Sequence, residues 1–347
     1  MAGGSSLASM KNDVTKLDPQ KEMRWDGRSR CHYEAWYTTL NQVSAGAGFW
    51  IRYALLVPCK GTGHVQLWFA SHVPAISGAR VSVVQRYPMD QFSASRAPFC
   101  LHIGPNSMES GRMTGMIEAG GAPVTWDLVY EPVTDPLQDL PEVFYRTRWI
   151  RSKFLTPHPF LMIGGKIQLG DHTFILNGDP GQQGHIWGRR HAEEWSWFHC
   201  SSLVQEGGEP IAAYVTGVTA QQRLPGGMVL PPLSFGHLVW QEKHLQIRPV
   251  TSWNERWKDR WEWKGNTEDE DVRITLTVPW AEMVLAQYED PAGHSIFCHH
   301  TERADCIVQF RAPRQPPRVY RSTGRAHLEI GSRCPDPRVS RKVTLQG

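Results

Sequence analysis

Nowhere in these 347 residues does an apolar run reach the ~18 residues that a membrane-spanning helix needs. The most apolar window, Phe49-Trp-Ile-Arg-Tyr-Ala-Leu-Leu-Val57, is too short and is interrupted by Arg52. The opening stretch Met1 to Gln20 lacks the apolar core of a secretory signal, so the chain reads as soluble. Cysteine is sparse and irregular. Seven residues (Cys31, Cys59, Cys100, Cys200, Cys298, Cys306 and Cys334) form an odd set with no repeating spacing. They do not read as a disulfide framework, and a reducing, cytoplasmic compartment is expected. Charge is nearly balanced, 37 Lys and Arg against 34 Asp and Glu, for a net +3. The basic clusters Arg146 to Lys153 and Arg311 to Arg321 are broken by apolar residues and Pro, which excludes a dedicated nucleic-acid surface.

Cofactor signatures are missing as well. No phosphate-binding loop, dinucleotide G-x-G-x-x-G or G-x-S-x-G elbow occurs, so no cofactor is expected. His185, His191 and His199 are spaced too irregularly for a helical zinc motif. Cys298-His-His300 with Cys306 does not reproduce paired C-x-x-C ligands, and adjacent strand residues point to opposite faces. No metal is expected.

What the chain has in excess is tryptophan, 15 residues. Each buries a large ring and one N–H that needs a partner. A Trp-filled β core and a ring-lined pocket are both consistent with that number. The texture from residue 23 onward is β: short runs of Val, Ile, Thr, Trp and Tyr, punctuated by 25 Pro and 31 Gly. Residues 1–22 read as a disordered lead-in. Helical periodicity is sparse; Trp253, Trp257 and Trp261 fit one helix face, while Trp261-Glu-Trp263 fits a strand equally well. A Pro-rich bridge, from Glu131-Pro through Thr156-Pro-His-Pro159, is the best candidate boundary. The expectation is an all-β protein of two tandem barrels or sandwiches with few short helices, divided as 23–158 and 159–347.

The densest chemistry lies in Gly181–Cys200, which holds three His, three Trp and the adjacent pair Glu193 and Glu194. Rings beside proton donors and acceptors suit a pocket that holds an apolar molecule and works on it by acid–base chemistry. As a strand from Glu194 on, Trp195, Trp197 and His199 share one face, while Glu194, Ser196, Phe198 and Cys200 share the other. The same residues also suit a core ladder whose His satisfy backbone groups. Gly181 and Gly184 permit the tight backbone expected to present His185. Glu34 and Asp127 sit inside apolar strands, where a carboxylate is costly unless it is paired or lines a cavity; Arg52 and Arg112 are candidate partners.

Tyr33-Glu-Ala-Trp-Tyr37, Trp126-Asp-Leu128, His185-Ile-Trp-Gly188, Trp195-Ser-Trp197 and Gly324-Arg-Ala-His-Leu-Glu329 occur in an order that resembles the AttH/CrtC-like superfamily. That group includes tocopherol cyclases, carotenoid 1,2-hydratases and lipocalin-like Diels–Alderases. The resemblance implies two packed lipocalin-like barrels, a hydrophobic pocket in or between them, and no redox cofactor. By position, His185 and Trp187 match H-x-W-G, Trp195 and Trp197 match W-x-W, and Glu34 falls in Y-E-x-W-Y. The chain departs from the pattern at His191-Ala-Glu-Glu194 and Phe198-His-Cys200, flanks that mark a different substrate.

The resulting expectation is a cofactor-independent enzyme that hydrates, cyclises or isomerises a hydrophobic polyene or isoprenoid-like molecule. His185 and Glu194 lead as acid–base residues, with Glu34 and Asp127 in support, although parity turns Glu194 away from Trp195. Trp187, Trp195, Trp197, His199, Trp36 and Trp126 are the expected substrate-binding residues. Two alternatives stand beside it: a non-catalytic carrier of a hydrophobic ligand, and a carbohydrate-active β protein built on Trp platforms and paired acids.

Overall fold

The computed structural model describes residues 23–76, 80–96, 98–119, 122–240, 243–247, 253–257, 259–267, 269–339 and 343–346. The expected disordered segment 1–22 lies outside them. Among the described residues the chain is all β, in two large antiparallel sheets, one a nearly closed barrel and the other a half-barrel. Helix is confined to α1 (Glu142–Arg146) and single turns at Met89–Gln91 and Trp280–Glu282.

The first sheet opens with β1 (His32–Gln42), β2 (Ala47–Val57), β3 (His64–His72) and β4 (Val81–Pro88). It continues through β5 (Phe92–Arg96), β6 (Phe99–Ile103), β7 (Asn106–Glu109), β8 (Arg112–Ala119) and β9 (Ala122–Pro132). The long hairpin β10 (Ser152–Leu169) and β11 (His172–Gly188) completes it, with β11 pairing back onto β1. The second sheet holds β12 (Glu194–Cys200), β13 (Ala213–Gln221), β14 (Leu233–Trp240), β15 (Lys243–Ile247) and β16 (Trp253–Trp257). To these it adds β17 (Arg260–Asn266), β18 (Asp271–Thr277), β19 (Val284–Glu289), β20 (Ser295–Arg311) and β21 (Arg318–Ser332). A last strand, β22 (Val343–Gln346), returns to the first sheet and runs parallel to β4.

β2 explains how the sheets are joined. It is buried at every position. Phe49, Ile51, Tyr53, Leu55 and Val57 alternate into the barrel core beside Trp36 and Trp126. Trp50, on the opposite face, packs with Trp68, Val84, Val284, Tyr288 and Cys298 from both sheets. A strand buried on two faces reads as a continuous apolar run, which is why this window shows no polar alternation. Each such side chain contributes roughly 1.5–3 kcal/mol of burial.

Two expectations change here and one open question closes. The boundary placed at 158/159 falls inside β10, and the chain crosses between sheets at 189–193. Pro157 and Pro159 lack N–H groups, and β10 absorbs them as register shifts between Leu155, His158 and Leu161. The open question at Trp253–Trp263 resolves to strands, since β16 and β17 pair with Arg256 opposite Trp261. Cys31 and Cys59 are joined in a disulfide across a sequence separation of 28. Antiparallel pairing of β1 and β2 sets His32 opposite Val57 and so brings the flanking cysteines together.

Gly165 is the tightest backbone position in β10. Its φ is +115°, and a Cβ there would sit 2.2 Å from the Asp127 carbonyl of β9. Gly165→Ala combines a strained conformation with a backbone clash and is expected to destabilise the protein by about 2–3 kcal/mol. A lowered denaturant midpoint with unchanged slope checks this; an unchanged midpoint contradicts it.

Candidate functional site

The sheets do not close completely on each other. Between β1 and β2 on one side and β12, β19 and β21 on the other lies a cavity of about 80 Å³. Tyr37, Trp50, Trp195, Trp197, Tyr288 and Phe154 supply its apolar walls. Its charged or titratable side chains, besides the two tyrosines, are Arg52, His191 and Glu329.

Strand alternation and glycine place the rings. On β12, Trp195 and Trp197 line the cavity, while Phe198 and Cys200 enter the core of the second sheet. β21 pairs with β12 so that Glu329 stands opposite Trp197 and Gly331 opposite Trp195. A Cβ on Gly331 would come within 2.2 Å of the Trp195 indole, so the ring lies across that glycine. Tyr37 does the same over Gly184, its partner on β11, with 2.2 Å to a built Cβ. Gly184 therefore makes room for Tyr37, a different duty from presenting His185. Tyr37 meets Trp197 edge to face at 5.9 Å. Such ring-over-glycine pairs fix aromatic positions on a sheet.

Enclosure controls the titratable groups. Burial pushes the Glu329 carboxyl above its ordinary value, and the nearby Glu302 adds to this; His300 and Arg52 pull the other way without cancelling it. The Trp195 indole N–H donates to that carboxyl. Burial, with Arg52 and Arg333, holds His191 well below the usual imidazole value, so the ring is neutral. It stacks on Tyr33 at 3.8 Å, and its backbone N–H donates to Asp290 at 2.7 Å. Burial raises Tyr37 and Tyr288 well above the phenol range. Arg52 lies over the Tyr288 ring, 4.1 Å from its centroid.

Behind this chamber sits a closed charge cluster. Glu302 contacts His72 at 2.7 Å and His300 at 3.0 Å, and the His300 ring lies 4.9 Å from that of Trp50. Burial alone would raise Glu302, but the two histidines outweigh it and hold the carboxylate ionised.

The residues singled out from sequence divide between this chamber and other places. Trp195 and Trp197 line it; His199 is buried on the same face, stacked on Trp197 at 6.3 Å. His185 and Glu34 meet, at 2.8 Å, outside the chamber. His185 lies between the rings of Trp36 and Trp187, each 4.9 Å away. Glu34 accepts hydrogen bonds from His185, His32 and the backbone N–H groups of Arg24 and Trp25, so its oxygens are fully used. Trp187 is half-buried beneath Arg24. Trp36 and Trp126 belong to the barrel core, where Trp126 donates to Tyr53. Asp127 is exposed and paired with Arg112 at 3.0 Å. Glu194 is exposed, away from the cavity, as its parity indicates. Arg52, His191, Tyr37, Tyr288 and Glu329 were not singled out as site residues. Tyr37 and Glu329 nevertheless close two of the motifs that carried the resemblance.

One group of metal-type donors exists among the described residues. Cys100, His102 and Glu109 gather on the β6–β7 hairpin with donor atoms within 4.8 Å of one another, and none lines the cavity. No helix among the described residues is long and apolar enough to cross a membrane.

Fold and site together define a class: an all-β protein of paired barrel-like sheets that enclose an aromatic chamber with a buried carboxylic acid. Residues 162–332 match the tocopherol cyclase-like family model, a stretch that carries His191, Trp195, Trp197, Tyr288 and Glu329. No curated protein matches the sequence significantly. Among solved structures, a protein assigned as AttH from Nitrosomonas europaea superposes with a TM-score of 0.52 at 14% identity, covering 90% of this chain and 97% of that one. Kievitone hydratase from Nectria haematococca superposes with a TM-score of 0.52 at 8% identity, covering 86% and 88%. At such identities the likeness concerns the fold.

The Glu34 network makes an acid-stability prediction. Burial would raise its carboxyl, but hydrogen bonds from His185 and His32 hold it down at about 2, against an ordinary 4.5. A depressed folded-state value stabilises the protein above pH 4.5 and ceases to do so as pH falls toward 2. The melting temperature should drop across that window, and Glu34→Gln should lower it at neutral pH while flattening the drop. A variant with the native acid profile would contradict the assignment.

Proposed function

We propose that this protein is a cofactor-independent hydratase- or cyclase-type enzyme that acts on a hydrophobic, polyene or isoprenoid-like molecule held between the two sheets. The observation that carries this reading is Glu329. Burial raises its carboxyl above the ordinary value, and it lines a chamber that also presents indole and phenol rings. The tocopherol cyclase-like match and the likeness to a hydratase agree with it.

Glu329 gives its proton to one carbon of a C=C, leaving a carboxylate and a cation on the neighbouring carbon. The faces of Trp195, Trp197 and Tyr37 stabilise that cation by ~0.5–2 kcal/mol each. A water, or a hydroxyl of the substrate itself, adds its oxygen to the cation and loses its proton to neutral His191. The proton then returns to Glu329 through solvent. Loss of a different carbon-bound proton to His191 would give isomerisation. One group opposes the scheme: the Arg52 guanidinium lines the same chamber, and like charges repel.

The carrier alternative uses the same chamber without turnover, and one experiment separates the two. Small molecules that co-purify with the native protein are identified by mass spectrometry and offered back to native protein and Glu329→Gln. The enzyme reading expects a product heavier by one water, or of equal mass and altered retention, from the native protein. The Gln variant should retain the ligand and turn it over at least ~100-fold more slowly. Native activity should fall as pH rises through the elevated Glu329 value, on a limb lying above 4.5. Recovery of an unaltered ligand from the native protein would establish the carrier.

A further inference from the structure

Arg52 is the group in the chamber that the proposed acid–base scheme does not use. It sits at the centre of β2, opposite Tyr37 on β1 and Trp68 on β3. Only 7% of it is exposed, and what remains accessible lines the cavity. Its guanidinium carbon lies over the Tyr288 ring, 4.1 Å from the centroid, and its Nε has no hydrogen-bond partner. Among the described residues it forms no salt bridge.

Among the described residues no acidic group is paired with it. Burial favours the protonated, neutral forms of Glu329, Cys298 and Tyr288. Glu302 is engaged by two histidines, and Asp290 is held by Arg333 at 2.6 Å. A buried cation without an anion is costly, and that cost persists only where something removes it. A guanidinium presents five N–H donors in a planar fork that fits a carboxylate or a similar two-oxygen anion.

We infer that the ligand of this chamber is amphiphilic: its hydrocarbon part lies against Trp195 and Trp197, and an anionic carboxylate-type oxygen group sits on the Arg52 guanidinium. This rests on the reading of the chamber as a ligand site and adds the substrate class to it. An anion there also removes the obstacle to a carbocation, because the pair Arg52–ligand is neutral. Arg52 would thus select the acid over the corresponding alcohol or ester and fix which end of the molecule faces Glu329.

Matched probes test this. Geranic acid and geraniol share one isoprenoid skeleton and differ in the terminal group, and at about pH 7 the acid is ionised. Isothermal titration calorimetry on the native full-length protein should show the acid binding at least ~10-fold more tightly, about 1.4 kcal/mol. In Arg52→Met, with folding checked by its melting curve, the ratio should fall to about 1. Arg52→Lys keeps the charge without the fork and should retain part of the preference. Equal affinities for the native protein overturn the inference without recourse to any variant and leave the chamber as a hydrocarbon site. A preference that survives in folded Arg52→Met overturns it equally. If neither probe binds, the ligand-site reading falls and the inference with it.

Discussion

The structure turns on strands that are buried on both faces. β2 and its neighbours close the first barrel with one set of side chains and receive the second sheet with the other. Neither sheet alone could shield Trp50 or Trp68, each 1% exposed, so the two halves fold against a shared wall. That wall has a physical consequence for chemistry. A surface packed on both sides excludes water, and any polar group placed on it must be paired, be neutral, or await a partner.

All three outcomes occur within a few residues. Glu302 is paired, clamped between His72 and His300. Glu329, Tyr288 and Cys298 are driven toward their neutral forms by burial. Arg52 brings a guanidinium to the same wall, and no carboxylate among the described residues pairs with it. Two features of the chamber, an acid whose pKa burial raises and a cation with no ion pair among the described residues, thus share one cause. Close packing accompanies them: the rings of Trp195 and Tyr37 lie across Gly331 and Gly184.

Much of the architecture was legible in the sequence because it depends on short-range pattern. Alternation on β12 sorted Trp195, Trp197 and His199 from Phe198 and Cys200, and Pro and Gly punctuation marked the strands. What failed depends on pairing across the chain. The prolines at 157 and 159 look like a linker, yet a long strand can hold them at bulges. Cys31 and Cys59 gain meaning only once β1 lies beside β2. The site shows the same division. Trp195 and Trp197 were readable from their own strand. Glu329 stood unnoticed at the end of a quoted motif, because nothing local says that β21 pairs with β12. From the sequence, Arg52 reads as a break in an apolar run and as a candidate partner for a strand carboxylate. Its oddness was the signal: a charge in the middle of a doubly buried strand.

The chamber is also divided unequally between the halves. The stretch matching the tocopherol cyclase-like model, 162–332, supplies the acid, the neutral imidazole and the indoles of β12. Arg52, Tyr37 and Trp50 come from β1 and β2, outside that stretch. Proton donation needs an enclosed carboxyl and a ring wall, which one sheet can offer to a varied set of molecules. Choosing among those molecules needs a group that reads their polar end, and the proposed one, Arg52, is on the opposite sheet. Changes on β2 can then alter which ligand is accepted while Glu329 keeps its burial, provided the replacement at 52 still fills the space over Tyr288. If the proposed roles hold, a proton donor on one sheet and a ligand-reading cation on the other would allow selectivity to change without rebuilding the acid.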